Sequence, residues 1–206
     1  MVTLLDSWEL AKVALAERDP VLSVLISHYS GDGLRSRGNA FETLSRAIVG
    51  QQVSVKAADS VWQRLCAKTV LAPNEVLALT LVELRSCGLS YRKAEYLQDL
   101  AHHFYHGLVN EDELNAMSDE QVIANLIRIK GIGRWSAEMF LIFYLLRPNV
   151  FPVDDMGLQK AMQRHYPYLA GGGLPALREH AQLWQPWRSV ATWYLWRSLD
   201  PQKVIY

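Results

Sequence analysis

The strongest constraint on this chain is its hydrophobic rhythm. Apolar residues recur at helical spacing along nearly the whole sequence, and the strict alternation of a half-buried strand is scarce. The rhythm is interrupted often. Gly88 and Gly107 each stop a helical stretch, Arg147-Pro148-Asn149 ends another, and Pro73 opens one as a first-turn proline. The class is therefore all-α, with roughly ten short helices. Helical pattern is expected over Trp8 to Ala16 and Pro20 to Tyr29. It continues over Phe41 to Lys68, with a break near Gly50-Gln51-Gln52, and over Leu81 to Cys87 and Tyr91 to Tyr105. Ser118 to Gln121 fits a capping box ahead of Val122 to Ile129. Arg134 to Leu146, Met156 to Tyr166, Pro175 to Trp184 and Trp187 to Leu199 complete the set. Ser30 to Asn39 and the glycine run Gly171 to Gly173 read as loops.

The sharpest local feature is the turn Lys130-Gly131-Ile132-Gly133 between two helical stretches, a hairpin spanning about residues 122–146. Two glycines permit positive-φ turns with amides facing outward, at a helix N-terminus whose dipole favours an anion. Ile132 can pin the turn into the core, and Lys130 and Arg134 flank it. Such a turn can clamp phosphate by shape and charge without reading bases. A glycine C-cap followed by a second helix would look similar.

Downstream lies Val150-Phe151-Pro152-Val153-Asp154-Asp155-Met156-Gly157, a loop whose paired acids precede a helix. Taken alone, an Asp there is an N-cap. In order along the chain, several segments carry a resemblance: Phe41 to Leu44, Ala47 to Ser54, Gly88 to Ala94, Gly131 to Ala137, Phe151 to Asp155 and Trp184 to Ser189. Together they resemble the helix-hairpin-helix–GPD superfamily of DNA glycosylases, in its 3-methyladenine DNA glycosylase II (AlkA-like) branch.

That resemblance covers most of residues 1–200. It implies one helical glycosylase domain of two lobes with an active-site cleft between them, in a compact form without the N-terminal β-rich domain of larger members. The implied activity is hydrolysis of the N-glycosidic bond of alkylated purines in double-stranded DNA, as part of base excision repair. The implied catalytic carboxylate is Asp155, with Asp154 as a neighbour suited to capping. Trp135 and Trp196 fall at the family's base-pocket positions, and Met139 stands where a third aromatic is usual. Gly131, Gly133, Lys130 and Arg134 are implied DNA contacts, joined by Gln51, Arg188 and Ser189. Gln52 occupies the position of the side chain that fills the hole left by a flipped base; alternatively, Gln51 and Gln52 only cap the preceding helix. Lyase members carry a lysine where Trp135 stands, so a monofunctional enzyme is expected. The family also implies a monovalent cation on hairpin carbonyls (Arg128, Lys130 or Gly133), with no side-chain metal and no other cofactor. The competing readings are a non-catalytic helix-hairpin-helix DNA-binding module and a glycosylase for another damaged base.

Composition sets limits on this picture. Over 206 residues, 21 basic and 21 acidic side chains cancel, so any DNA contact must come from a local patch. Two cysteines, Cys66 and Cys87, cannot build a four-cysteine iron–sulfur cluster; free buried thiols are expected. His102 and His106 lie four apart on a helix but lack a third ligand, which favours a solvated face over a metal site. No apolar run reaches membrane-spanning length, and no basic-then-apolar leader opens the chain. A cytoplasmic monomer with no membrane partner is expected. Of the seven tryptophans, Trp8, Trp62 and Trp184 read as packing residues, while Trp187 and Trp193 are open.

Overall fold

The computed structural model describes residues 4–29, 33–34, 36 and 39–199, with the side chains of 4–6 and 55 left aside. Among the described residues there are helices and turns and no strand, as the sequence rhythm requires. Most of the expected Ser30–Asn39 loop lies outside the described residues. Among the described residues no helix is long and apolar enough to cross a membrane. The chain forms two compact units. One takes the chain up to about residue 36 and again from Leu141; the other takes the residues between, to Phe140.

The first unit holds α1 (Leu4–Arg18), α2 (Pro20–His28), α11 (Met156–His165), α12 (Gly173–His180) and α13 (Arg188–Leu199), with 3-10 turns at Pro167–Leu169 and Ala181–Trp184. Its centre is α13, which packs on α1, α2 and α11. Every residue from Ser189 to Arg197 is buried, so this helix has no solvent face. Trp8 meets Trp193 edge-on with centroids 5.4 Å apart, which places Trp193 in the core.

A buried polar knot joins the ends of this unit's sequence. Asp19 caps α2, one Oδ accepting from the Val21 and Leu22 amides at 2.9 and 3.1 Å. Its other oxygen accepts from the Tyr166 hydroxyl and the Trp184 indole, each at 2.8 Å. Trp184 is fully buried, and this bond is why a wholly enclosed tryptophan is tolerated.

The second unit contains α3 (Ala40–Gly50), α4 (Val55–Lys68), α5 (Pro73–Ala78), α6 (Leu81–Ser86), α7 (Tyr91–Tyr105), α8 (Glu111–Ala116), α9 (Asp119–Leu126) and the start of α10 (Arg134–Phe143). Its axis is α7, packed against α3, α5 and α6 through Ala94, Leu97, Leu100 and Ala101. The expected Ser118/Gln121 capping box forms in both halves. A second box, Thr80 with Glu83, starts α6 and was not anticipated. Helix α8 was missed as well: its one buried residue, Leu114, leaves no periodic signal. The hairpin helices are shorter than expected, ending at Leu126 and Phe143. Cys87 is buried, but Cys66 is exposed, against expectation; both are free thiols.

The knot makes a prediction. Burial alone would push the Asp19 carboxyl up, but His180 Nε2 at 3.7 Å and hydrogen bonds from Trp184, the Leu22 amide and Tyr166 outweigh it and hold the group at about 2, against an ordinary 3.8. The folded value is depressed, so the stabilisation of about 2 kcal/mol is complete above the ordinary value and disappears as pH falls toward the folded one. Urea unfolding of Asp19→Asn should show lower stability at neutral pH and a flatter decline between about pH 4 and pH 2. Equal acid slopes for the two proteins would exclude Asp19 as the titrating group.

Candidate active site and hairpin

The first unit carries the acid. Phe151 to Asp155 form two tight turns, Val153 N donating to Phe151 O and Asp155 N to Pro152 O, each at 2.9 Å. These turns deliver Asp155 to the start of α11 as its N-cap, with Oδ1 accepting from the Leu158 amide at 2.6 Å. The Trp196 indole N–H donates to the same oxygen at 2.8 Å. Asp155 is only 8% exposed. A Cβ on Gly157 would stand 3.1 Å from Asp155 Oδ1 and 3.6 Å from the indole, so glycine leaves this pair uncrowded. Asp154 is exposed in the turn, and the capping role expected of it belongs to Asp155 itself.

Trp196 therefore has a part the sequence reading did not foresee. It is buried, its ring lies parallel to Phe143 with centroids 5.8 Å apart, and its N–H holds the carboxylate. Ser189 also needs correction, and Arg188 has a second part within the fold. Ser189 is fully buried; its hydroxyl donates to Arg147 O at 2.6 Å and accepts from Val150 N at 2.9 Å. Arg188 donates to the side chain and backbone of Asn149 at 2.8 and 3.0 Å. Both residues fasten the loop that leads to Asp155, and a hydroxyl without exposure cannot reach a phosphate.

The hairpin belongs to the second unit. Only Gly131 has positive φ, at +82°, and a Cβ there would fall inside the Tyr96 ring. Gly133 differs from expectation: its φ lies outside the left-handed region and a Cβ would meet nothing within 4 Å. Its amide has no acceptor among the described residues, and its exposed backbone opens α10. Ile132 is buried, as expected. Lys130 N donates to Asp99 Oδ2 at 2.8 Å, and Lys130 Nζ stands 3.7 Å from the other oxygen. Arg134 is bound by Glu120 through both terminal nitrogens and by Glu138 through Nε at 3.1 Å. The bonds to Glu120 raise its affinity for its proton further. Both flanking cations are thus matched by carboxylates of the protein itself. On α10, Trp135 is half-buried and Met139 is buried.

The turn after α3 presents the last candidates. Gln52 is exposed and holds φ at +55°, a left-handed conformation costing a non-glycine residue about 1 kcal/mol. Lys93 secures this turn by donating to Val49 O and Gln51 O at 2.8 and 2.7 Å, and burial lowers its proton affinity. Gln51 was expected to contact DNA; instead Nε2 donates to Gly131 O at 2.8 Å. The His102 and His106 rings lie tilted by 50° with centroids 4.4 Å apart, and no group of three or more potential ligands occurs among the described residues.

The family model of the HhH-GPD superfamily base excision DNA repair proteins matches residues 45–186. The chain belongs to this superfamily. It is 32% identical over 211 residues to DNA-3-methyladenine glycosylase 1 of Schizosaccharomyces pombe, covering 96% of this chain and 89% of that protein. The solved S. pombe 3-methyladenine DNA glycosylase in complex with abasic DNA superposes with a TM-score of 0.81, covering 91% of this chain and 95% of that one at 30% identity. A DNA-3-methyladenine glycosidase structure from Bacillus halodurans gives a TM-score of 0.75 at 32% identity, covering 88% and 90%.

The two hairpin glycines should respond differently to alanine. Gly131→Ala combines positive φ with collision against Tyr96, and should destabilise the protein by about 2–4 kcal/mol in chemical denaturation. Gly133→Ala should change stability by less than about 1 kcal/mol while weakening binding to every DNA sequence alike. Equal destabilisation by the two would contradict this division.

Proposed function

We propose that this protein is a monofunctional DNA glycosylase that hydrolyses the N-glycosidic bond of alkylated purines, of the 3-methyladenine and 7-methylguanine class, in double-stranded DNA. The observation that carries the reading is Asp155, a buried carboxylate whose Oδ1 is held by the Leu158 amide and the Trp196 indole. It stands in a chain of the base excision repair superfamily that is about one-third identical, over nearly its full length, to a 3-methyladenine glycosylase. Asp19 caps α2 and accepts from the Trp184 indole in the same manner, so it is the restrained acid together with the superfamily match that favours catalysis over a non-catalytic DNA-binding module.

The chemistry follows from the substrate. Alkylation at N3 or N7 makes the purine cationic and therefore a good leaving group, so no general acid is required. Bond breaking places positive charge on the sugar, which an oriented carboxylate stabilises. Asp155 in that role needs no motion, because Oδ1 is already fixed by two donors. It also suits orientation or deprotonation of the attacking water. The half-buried Trp135 offers an aromatic face to a flipped cationic base, an attraction of roughly 1–2 kcal/mol when desolvated. The same residue supports the monofunctional outcome, since it stands where an amine nucleophile would be needed for lyase chemistry.

The open Gly133 amide is the anchor for a phosphate, and Gln52 is the side chain that enters the stack when the nucleotide leaves. The hairpin carbonyls of Arg128, Lys130 and Gly133 are neutral oxygen donors of a kind that suits a monovalent cation. Gly133 O already accepts from Ala137 N at 3.1 Å and keeps a second lone pair. Such an ion would add positive charge beside the anchor.

In a base-release assay on methylated duplex DNA, Asp155→Asn should lose at least about a hundredfold in rate. Its amide oxygen can still accept from Leu158 and Trp196, so folding and DNA binding should persist. Asp154→Asn should cost far less. Borohydride treatment during turnover should trap no covalent protein–DNA adduct. Comparable losses from the two aspartates would remove Asp155 from its role, and an adduct above background would refute the monofunctional reading.

A further inference from the structure

Gln51 is more than the end of a helix. The capping bond of α3 is made by its backbone, Gln51 N donating to Ile48 O at 3.3 Å. Its side chain leaves that helix and donates to Gly131 O at 2.8 Å, eighty positions further along the chain, with Ser136 Oγ at 3.5 Å. Gln51 O, in turn, accepts from Lys93 Nζ at 2.7 Å. One residue therefore ties three things together: the turn that exposes Gln52, the α7 lysine that caps this turn, and the one hairpin carbonyl at the positive-φ glycine.

The rest of the hairpin turn is held from α7. Asp99 accepts from Lys130 N, and the Tyr96 ring occupies the space a Gly131 side chain would need. Three consecutive positions show the contrast. Gln51 is turned inward to the hairpin, while Gln52 and Val53 are exposed, Gln52 in a left-handed conformation. A strained exposed residue persists only where its surroundings over-determine it. Here the surroundings are the two hydrogen bonds from Lys93 and the one from Gln51.

We propose that Gln51 is a positioning residue for base flipping: it fixes the exposed Gln52 at a set distance from the phosphate-anchoring hairpin turn, so that anchoring the backbone also aims the inserted side chain. This inference rests on the glycosylase reading. Without the Gln51 bond, the hairpin and the Gln52 turn can each keep their local structure, yet their separation is no longer set. The loss should then appear only where a side chain must displace a paired base, because a base without a partner needs little help in leaving the stack.

The test uses two duplexes carrying one 7-methylguanine, either paired with cytosine or opposite an abasic analogue, under single-turnover conditions. Gln51→Ala should slow base release about tenfold from the paired duplex and by no more than about threefold from the unpaired one. In a Gln52→Ala background, Gln51→Ala should add little, since the two act through one step. Gln51→Glu keeps the size and removes the donor, and should reproduce the paired-duplex defect if the alanine variant folds poorly. Equal slowing on both duplexes, or a full additional loss in the Gln52→Ala background, overturns the positioning role and leaves the glycosylase reading intact. Failure of the wild type to release base from either duplex overturns both.

Discussion

The hairpin turn depends on an absence of atoms at Gly131. The backbone there is left-handed and the Tyr96 ring lies where a side chain would be, so only glycine closes the turn against α7. Once closed, the turn hands its neighbouring groups to specific partners. Lys130 N goes to Asp99, Gly131 O goes to Gln51, and Ile132 goes into the core. What remains is the Gly133 amide at the head of α10, where among the described residues neither a side chain nor an internal acceptor stands in the way. This open group is thus defined as much by what the fold has already satisfied as by what it leaves free.

Electrostatics follow the same logic. The chain has no net charge, and the two cations beside the turn are matched by Asp99, Glu120 and Glu138. A chain without net charge has little long-range attraction to a polyanion, and any such attraction must come from a local patch. The acid in the other unit is treated alike. Asp155 is restrained by an amide and an indole, and its loop is secured by Arg188 and Ser189.

The legibility of the site was uneven for identifiable reasons. Asp155 and the Gly131–Gly133 turn stand in local patterns, acids before a helix and glycines between helices, and these survive inspection of a linear sequence. Gln51, Arg188 and Ser189 fell in matching segments and were assigned outward-facing roles, yet their side chains turn inward to backbone groups of distant loops. A polar residue beside a functional turn looks the same in sequence whether it serves the ligand or the turn. Helix α8 escaped because a helix with a single buried residue has no period to detect. The positive φ at Gln52 had no signal either, because the strain is imposed by neighbours.

The sequence by itself determined the elements: helices of limited length, their caps, the glycine turn, and an aspartate at the start of α11. Those are decided by interactions within about one helical turn, where propensity, capping and side-chain periodicity act. Only the tertiary structure decided what each functional group touches. Trp196 reaches Asp155 across 41 positions, Asp99 reaches Lys130 across 31, and Gln51 reaches Gly131 across 80. Hydrogen bonds require partners placed to within a few tenths of an ångström. Placement that close between distant segments is set by how the helices pack, which no local pattern in the chain encodes.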